Sequence, residues 1–246
     1  MTNPLSLQGK HILVTGASSG MGRVFSQMIA AQGGRVTLLA RNVERLNATL
    51  QSLDGDGHQV CVCDLTDEEQ LKAAVDSMEA VDGVVLCAGI NEFVPVKFVK
   101  QEKIERMFQT NYFSQLILVQ KLLKKKLVHP GASIVFISSV SSVLGVQGTL
   151  LYASSKGAIN SAVRVLASEL APQKIRVNAI LPGIVKTEML SGTNISEEEF
   201  TKQAEQYPLG LGMPEDVGHA VLFHLSDVSR WLTGQCMVLD GGFTLK

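Results

Sequence analysis

The chain of 246 residues has no excess of charge of either sign, few cysteines and no long apolar run. Its 22 Lys and Arg against 23 Asp and Glu leave a net charge of -1, which argues against a broad basic surface for a phosphate backbone. The opening MTNPLSLQGK lacks a basic region followed by an apolar run, and no stretch is long enough to span a bilayer. We therefore expect a soluble, cytoplasmic protein that binds neither nucleic acid nor membrane.

Patterns of metal-ligating residues are missing too. The four cysteines form no C-x-x-C pair, and the two closest lie in VCVCD, so buried free thiols are favoured over metal or redox ligands. None of the five histidines pairs with a nearby acid at the helical spacing of metal ligands. The sequence predicts no metal site.

What the chain does have is a regular alternation of short apolar runs and amphipathic stretches. Seven runs predict strands buried on both faces, namely HILVT, RVTLLA, QVCVC, GVVLCA, SIVFIS, RVNAIL and QCMVLD. Helical patterns lie between them, including a long one around residues 104–126, and Thr66 and Glu69 have the spacing of a capping box that starts a helix. The pattern predicts one α/β domain over residues 1–246, a Rossmann-type doubly wound sheet of seven mostly parallel strands with helices on both faces.

The glycine-rich stretch TGASSGMG lies between the first strand and the first helix. Glycine permits a tight turn and the close approach of a pyrophosphate, and the helix start offers free N–H groups and a favourable dipole. A merely permissive turn is the alternative, but the placement favours a dinucleotide site. The residues expected to contact the cofactor here are Gly16, Ser18, Ser19, Gly20, Met21 and Gly22.

The ends of the next strands indicate which dinucleotide binds. The second strand ends at Arg41, where a protein that grips the ribose hydroxyls of NAD is expected to offer an acid. Arg41 can pair with a 2′-phosphate, so NADP(H) is favoured over NAD(H), with an ordinary surface arginine as the alternative. Asp64 and Leu65 after the third strand, and Ala88 and Gly89 after the fourth, are expected to face adenosine and ribose, although turn chemistry explains such residues as readily.

Tyr152 and Lys156 lie one helical turn apart in YASSK, and Ser139 follows the fifth strand 13 residues before the tyrosine. A phenol has an intrinsic pKa of about 10, so acid-base work near neutrality requires a lower pKa, which a nearby ammonium supplies. Such a pair is more often a solvated helix face. The serine at a strand end and the glycine turn at the same sheet edge favour a reacting centre.

In its order of motifs the chain resembles the short-chain dehydrogenase/reductase family along nearly its whole length. The matching motifs are TGASSGMG, D-L-T after the third strand, A-G after the fourth, Asn111 in QTNYFS, ISS before YASSK, and PGIVKTEM. The resemblance implies a catalytic tetrad of Asn111, Ser139, Tyr152 and Lys156 for hydride transfer between a nicotinamide and a carbonyl carbon.

The resemblance also implies a role for each residue. Ser139 polarises the carbonyl, and Tyr152 is the acid in reduction and the base in oxidation. Lys156 lowers the pKa of the tyrosine and binds the nicotinamide ribose, while Asn111 holds a water that links the lysine to solvent. In the segment after the sixth strand, Thr187 hydrogen-bonds the nicotinamide carboxamide, and the other expected cofactor contacts there are Pro182, Gly183 and Val185.

Two motifs depart from the family pattern. The chain reads Leu86-Cys87-Ala88-Gly89 where the family often has N-N-A-G, so side-chain amide contacts are expected to be lost there. The stretch PLGLGMPEDV also lacks the arginine usually found after P-L-G.

The ending VLDGGFTLK and the P-E-D-V helix most resemble the 3-oxoacyl-(acyl-carrier-protein) reductases, although reductases of sugars, steroids and small ketones share them. An acidic carrier protein requires a basic docking patch, for which residues 124–126, Lys174 and Arg176 are candidates, with a helix that merely ends in lysines as the alternative. The resemblance implies a homotetramer. Two alternatives come from other classes of protein. The intact tetrad argues against an NADP(H)-binding sensor or assembly subunit, and Arg41 argues against a methyltransferase.

Residues 187–212 leave the carboxyl edge of the sheet with the composition of a substrate lid. Its apolar Met189, Leu190, Ile195 and Phe200 are expected to close over an acyl or other apolar substituent. Packing of the lid onto the domain is the alternative.

Overall fold

The structure is a computed structural model that describes residues 3–187 and 202–245. Its strands are β1 (His11–Thr15), β2 (Arg35–Ala40), β3 (Gln59–Val62), β4 (Val81–Leu86), β5 (Val128–Ile137), β6 (Arg176–Pro182) and β7 (Cys236–Leu239). They form one sheet in the order β3-β2-β1-β4-β5-β6-β7. The predicted doubly wound sheet is confirmed, and over the described residues every neighbouring pair of these strands is parallel.

The helices that follow the strands cover both faces of the sheet. They are α1 (Gly20–Ala31), α2 (Val43–Gln51), α3 (Glu68–Asp76), α4 (Gln101–Phe108), α5 (Ser114–Lys124), α6 (Leu150–Leu170) and α7 (Pro214–Leu225). Side chains of α1, α2 and α7 pack with the sheet in one apolar cluster, and those of α3, α5 and α6 pack in a second.

The strands contribute to both clusters because successive side chains of a strand point to opposite faces. In β4, Val84 and Leu86 pack with α3, α5 and α6, whereas Val85 packs in the other cluster. Both faces of the sheet are therefore apolar, which explains the uninterrupted apolar runs of the sequence. Among the helices of the described residues, none is long and apolar enough to cross a bilayer.

The start of α3 differs from the sequence prediction. The helix begins at Glu68 with Asp67 as its N-cap, and the Asp67 carboxylate accepts from two N–H groups of the first turn. The capping box assigned to Thr66 and Glu69 is wrong, because the Thr66 hydroxyl instead donates to Asp64 at 2.7 Å. A carboxylate one residue later caps the helix and also favours its dipole.

The helical pattern around residues 104–126 is interrupted. A wider π turn, Gln109–Phe113, separates α4 from α5. Such turns are rare in proteins, and those that do occur are frequently found at functional sites. This one carries Asn111, which it brings toward the loop after β4.

Candidate active site

The glycine turn after β1 has the shape of an anion cradle. Gly16 and Gly20 have φ values of +70° and +50°, in the left-handed region that favours glycine. A Cβ on Gly22 would lie 2.3 Å from the Gly16 carbonyl oxygen, so a side chain there would fill the turn. Ser19, the N-cap of α1, makes no side-chain capping hydrogen bond, and the first-turn N–H groups of α1 suit a bound phosphate.

The other predicted residues of this turn pack around it. The Ser18 carbonyl accepts from the Arg23 guanidinium at 2.9 Å, and Met21 packs against the apolar cluster of α1. The Thr49 hydroxyl donates to the Ala17 carbonyl at 3.0 Å. Helix α2 thereby holds the turn from the side of β2.

Arg41 and Asp64 lie together at the carboxyl ends of β2 and β3. The guanidinium is 3.6 Å from the Asp64 carboxylate, and the arginine side chain is 73% exposed. Burial raises the pKa of Asp64, but hydrogen bonds from Thr66 and the charge of Arg41 outweigh it, so the pKa lies below the usual value. Leu65 is buried beside them. A mostly exposed guanidinium held at this edge fits a 2′-phosphate.

The segment after β6 reaches the glycine turn. A Cβ on Gly20 would lie 3.8 Å from the Thr187 Cβ, so the predicted carboxamide contact and the predicted pyrophosphate turn are neighbours. Gly183 donates its N–H to the Leu239 carbonyl, and Val185 forms a parallel bridge with Gly212. Pro182 ends β6 and is buried.

The expected lid begins at Thr187, the last residue described before the gap. Its apolar members Met189, Leu190, Ile195 and Phe200 lie outside the described residues. The closing function assigned to them stays a prediction.

Ser139 and Tyr152 meet at the carboxyl edge, where the Ser139 hydroxyl lies close enough to the phenol to lower its pKa. The neighbouring Ser138 does not take part in this meeting, because its hydroxyl donates to the Lys156 carbonyl and to the Asn160 side chain. The Lys156 ammonium donates to the Ile137 carbonyl at 2.7 Å and lies 5.7 Å from the centre of the Tyr152 ring. The three predicted side chains are thus brought together.

The pKa of Tyr152 differs from the sequence expectation. Burial raises it to about 12, against the opposing hydrogen bond of Ser139. Burial also lowers the pKa of the Lys156 ammonium to about 8. In this structure desolvation therefore outweighs the lowering of the phenol pKa that was expected from the lysine.

Asn111 is buried in the π turn, and both polar atoms of its side-chain amide bind the loop after β4. Its Oδ1 accepts from the Ile90 N–H at 2.8 Å, and its Nδ2 donates to the Ile90 carbonyl at 2.9 Å and to Ser155 at 3.2 Å. A Cβ on Gly89 would lie 3.2 Å from Asn111 Oδ1 and 3.6 Å from Lys156 Nζ. Gly89 is therefore the point at which the loop passes between two tetrad residues.

Two residues that the sequence analysis did not assign hold the end of β4. The Thr15 hydroxyl accepts from the N–H groups of Cys87 and Ala88 at 3.0 and 3.1 Å. The Gln115 amide donates to the Ala88 carbonyl at 2.5 Å. Leu86 and Cys87 supply no side-chain amide at this turn, as expected, but a helix supplies one from elsewhere in the chain.

The basic residues expected to dock a carrier protein lie at the amino edge of the sheet. Residues 124–126 follow from α5 into the start of β5, at the edge opposite the glycine turn. Lys125 is paired with Asp76, and Arg176 is buried and donates to Ser229. Lys174 lies at the same amino edge, just before β6. Within one chain a carrier bound at these residues would face away from Tyr152, and the docking function assigned to them stays a prediction.

These observations fit a nicotinamide dinucleotide. A glycine cradle that a Cβ would fill accommodates a pyrophosphate, and the Arg41 guanidinium can meet a 2′-phosphate. Thr187, Gly89 and Lys156 extend from the cradle toward Tyr152 along one edge. A group bound across them would have its reacting end at the two hydroxyls.

Known proteins are similar to this chain in sequence and in fold. A family profile described as Enoyl-(Acyl carrier protein) reductase matches residues 16–244. The chain is 36% identical over 238 residues to Carbonyl reductase family member 4 of Danio rerio, covering 95% of this chain and 97% of the relative. It is 31% identical over 242 residues to 3-oxoacyl-(acyl-carrier-protein) reductase FabG of Rickettsia conorii, covering 98% and 99%. A solved short-chain type dehydrogenase/reductase from Mycobacterium marinum has a TM-score of 0.89 at 28% identity, over 99% of this chain and 98% of that chain.

Proposed function

We propose, since this chain belongs to the short-chain dehydrogenase/reductase family of NAD(P)-dependent oxidoreductases, that it uses NADPH to reduce the ketone of a 3-oxoacyl thioester. The observation that carries the proposal is the meeting of Ser139 and Tyr152, with Lys156 beside them, at the edge that also holds the glycine turn. Two hydroxyls that lie this close together can both hydrogen-bond to the oxygen of one substrate carbonyl.

Tyr152 is the proton donor in this proposal. Its raised pKa keeps the phenol protonated at neutral pH, which is the form that reduction requires. Bound NADPH supplies the hydride to the carbonyl carbon. Ser139 orients the carbonyl oxygen, Tyr152 gives that oxygen its proton, and the product is a secondary alcohol. The Lys156 ammonium stabilises the phenolate that remains.

The loops that follow β4 and precede α6 carry exposed apolar side chains, and we take them as the mouth of the substrate site. The Val94 N–H donates to the Gly148 carbonyl at 2.8 Å, which joins the loop after β4 to the loop before α6. Phe93, Val143 and Val146 on these loops are 52%, 60% and 39% exposed. An acyl chain can bury these side chains, whereas the hydroxyls of a sugar would gain no partner from them. This supports an apolar substituent beside the ketone.

Another carbonyl substrate is the second candidate. The relative from Danio rerio is named a carbonyl reductase, and a small ketone would use the same two hydroxyls. The acyl substrate is favoured by the name of the Rickettsia relative and by the apolar mouth.

The assembly belongs to the proposal as well. We propose a cytoplasmic homotetramer whose contacts include the exposed apolar side chains of α4 and α5, such as Ile104 and Ile117, and Trp231, which is 94% exposed. Apolar exposure of this kind supports association. The four cysteines are free thiols, in keeping with a reducing compartment.

A series of 3-oxoacyl thioesters of increasing chain length tests the substrate. We expect kcat/KM to rise by about fourfold per methylene over the first few carbons, since each buried methylene contributes ~0.8 kcal/mol. Phe93→Ser should reduce this slope and leave the shortest substrate unaffected. A flat series, or a preference for a hydroxylated ketone, would exclude the acyl substrate and leave the reductase assignment intact.

Arg41→Ala tests the choice of cofactor. The charge-assisted contact with a 2′-phosphate contributes about 1.5 to 3 kcal/mol, so the Kd for NADPH should rise by roughly tenfold or more. The Kd for NADH should not change. Fluorescence titration with both cofactors measures this, with the exposed Arg230→Ala as control. Equal weakening of both cofactors would mean that Arg41 only supports the loop.

A further inference from the structure

Gln115 is an uncharged polar side chain that is completely buried in the first turn of α5. Its Nε2 donates to the Ala88 carbonyl at 2.5 Å. Its Oε1 is buried and has no hydrogen-bond partner among residues 3–187 and 202–245. The side chain therefore donates one hydrogen bond to the end of β4, while its amide oxygen accepts none among the described residues.

Ala88 connects the two halves of the cofactor site. A Cβ on Gly16 would lie 3.0 Å from both Cα and N of Ala88, so the glycine turn rests directly on this residue. A Cβ on the next residue, Gly89, would lie 3.2 Å from Asn111 Oδ1 and 3.6 Å from Lys156 Nζ. The position of the Ala88 peptide thus sets the spacing between the pyrophosphate turn and the catalytic lysine.

Three side chains fix this peptide segment from different sides. Thr15 accepts from the N–H groups at its start, and Asn111 binds both backbone groups of Ile90 at its end. Gln115 holds the carbonyl between them. In this chain Leu86 and Cys87 stand where the family often has asparagines, and a side-chain amide comes from α5 instead.

Stability alone does not explain a glutamine here. A buried amide oxygen without a partner costs about 1 to 3 kcal/mol, which is comparable to or greater than what one neutral hydrogen bond contributes. Methionine, of similar length, would fill the space without that cost. Local features that cost folding stability are typical of functional sites.

We infer that Gln115 is a positioning residue, which holds the Ala88–Gly89 peptide against the glycine turn and so prepares the site for the nicotinamide dinucleotide. The inference rests on the proposed function only through the cofactor and needs no carbonyl substrate. It assigns a role in cofactor binding to a side chain that cannot touch the cofactor.

Gln115→Met tests the inference in the full-length protein. We expect the Kd for NADPH, measured by fluorescence titration without substrate, to rise by roughly tenfold, equivalent to ~1.4 kcal/mol. The Tm should stay the same or rise. A lower Tm with an unchanged Kd would overturn the inference, because Gln115 would then act only in packing, and so would no change in either quantity.

Asn178→Leu is the matched control. Asn178 is equally buried, and both ends of its amide are used, donating to the Leu232 carbonyl and accepting from the Gln235 N–H. Its loss should lower the Tm by several degrees, at about 2 to 4 °C per kcal/mol for a chain of this size, without affecting the NADPH Kd. A protein that loses NADPH affinity with this variant too would show that affinity follows stability, and the inference would fail.

Gln115→Glu resolves the case in which Gln115→Met lowers both Tm and affinity. A protonated buried carboxyl can donate to the Ala88 carbonyl, whereas the ionised form repels it, and burial raises the pKa of such an acid. The ratio of variant to wild-type Kd should therefore grow as the pH rises. A constant ratio would overturn the inference. If wild-type protein binds no NADPH, the proposed cofactor is wrong, and the same comparison with NADH decides the role of Gln115.

Discussion

Tyr152→Phe is expected to fold and to bind NADPH as the wild type does, while its kcat falls by ~10² to 10⁴. The variant loses one oxygen, which is the proposed proton donor and the neighbour of the Ser139 hydroxyl. The ring is retained, so the packing above Lys156 persists. A loss in kcat with little change in NADPH affinity is the signature of a group that acts in the transition state.

Stopped-flow measurement of NADPH oxidation at saturating substrate gives kcat directly. Tyr112→Phe is the control, because Tyr112 packs against the core and contacts Phe113 without taking part in the reacting centre. That variant should keep wild-type kcat. If Tyr152→Phe retains more than about a tenth of wild-type kcat, another group is the acid.

The sheet could be predicted from the sequence because its signal is local. Each strand is a short apolar run that both faces of the sheet bury, and parallel strands require helical connections. The glycine turn is equally local, since only one strand and one helix form it. Tyr152 and Lys156 were named from their spacing within one helix, Ser139 and Arg41 from their places at strand ends, and Asn111 from the family resemblance.

What could not be predicted depends on side chains that are distant in sequence. The contact of Gln115 with Ala88 joins α5 to the end of β4, and no periodicity reports it. The π turn at Asn111 interrupts a pattern that reads as one helix. The raised pKa of Tyr152 reflects the burial of its surroundings, which a list of neighbouring charges does not contain.

The placement of the lysines at residues 124–126 shows a different limit. Their charge was evident, but their value for docking depends on the edge of the sheet at which α5 ends. Helices in a parallel sheet return from the carboxyl edge to the amino edge, so the last turn of a helix lies far from the ligands. The same reasoning, applied at the outset, excludes the end of any such helix as a contact for a substrate held at Tyr152.

His224 is expected to make the protein acid-labile. It is fully buried in α7, and neither ring nitrogen has a hydrogen-bond partner among the described residues. Burial and then the nearby Arg176 lower its pKa from 6.5 to about 4. The unfolded chain therefore binds more protons than the folded one between these values, and stability falls as the pH falls through them.

The expected loss in the free energy of unfolding is about 2 kcal/mol between pH 8 and pH 5, and about 3 kcal/mol by pH 4. His224→Leu should be at least as stable as the wild type at pH 8 and should lose less on acidification, with the difference between the two curves developing between pH 6.5 and pH 4. The buried Lys156 changes its charge only above this window. Burial also lowers the pKa of His11, but His11 is present in both proteins, so its contribution to the pH dependence cancels in the comparison.

Urea unfolding at several pH values measures both curves, with His219→Gln, on the exposed side of the same helix, as control. The control should follow the wild type. Parallel curves for His224→Leu and the wild type from pH 8 to pH 5 would show that His224 keeps its ordinary pKa in the folded protein. In that case its ring must have found a partner that satisfies it, and the cost of burying it would be absent.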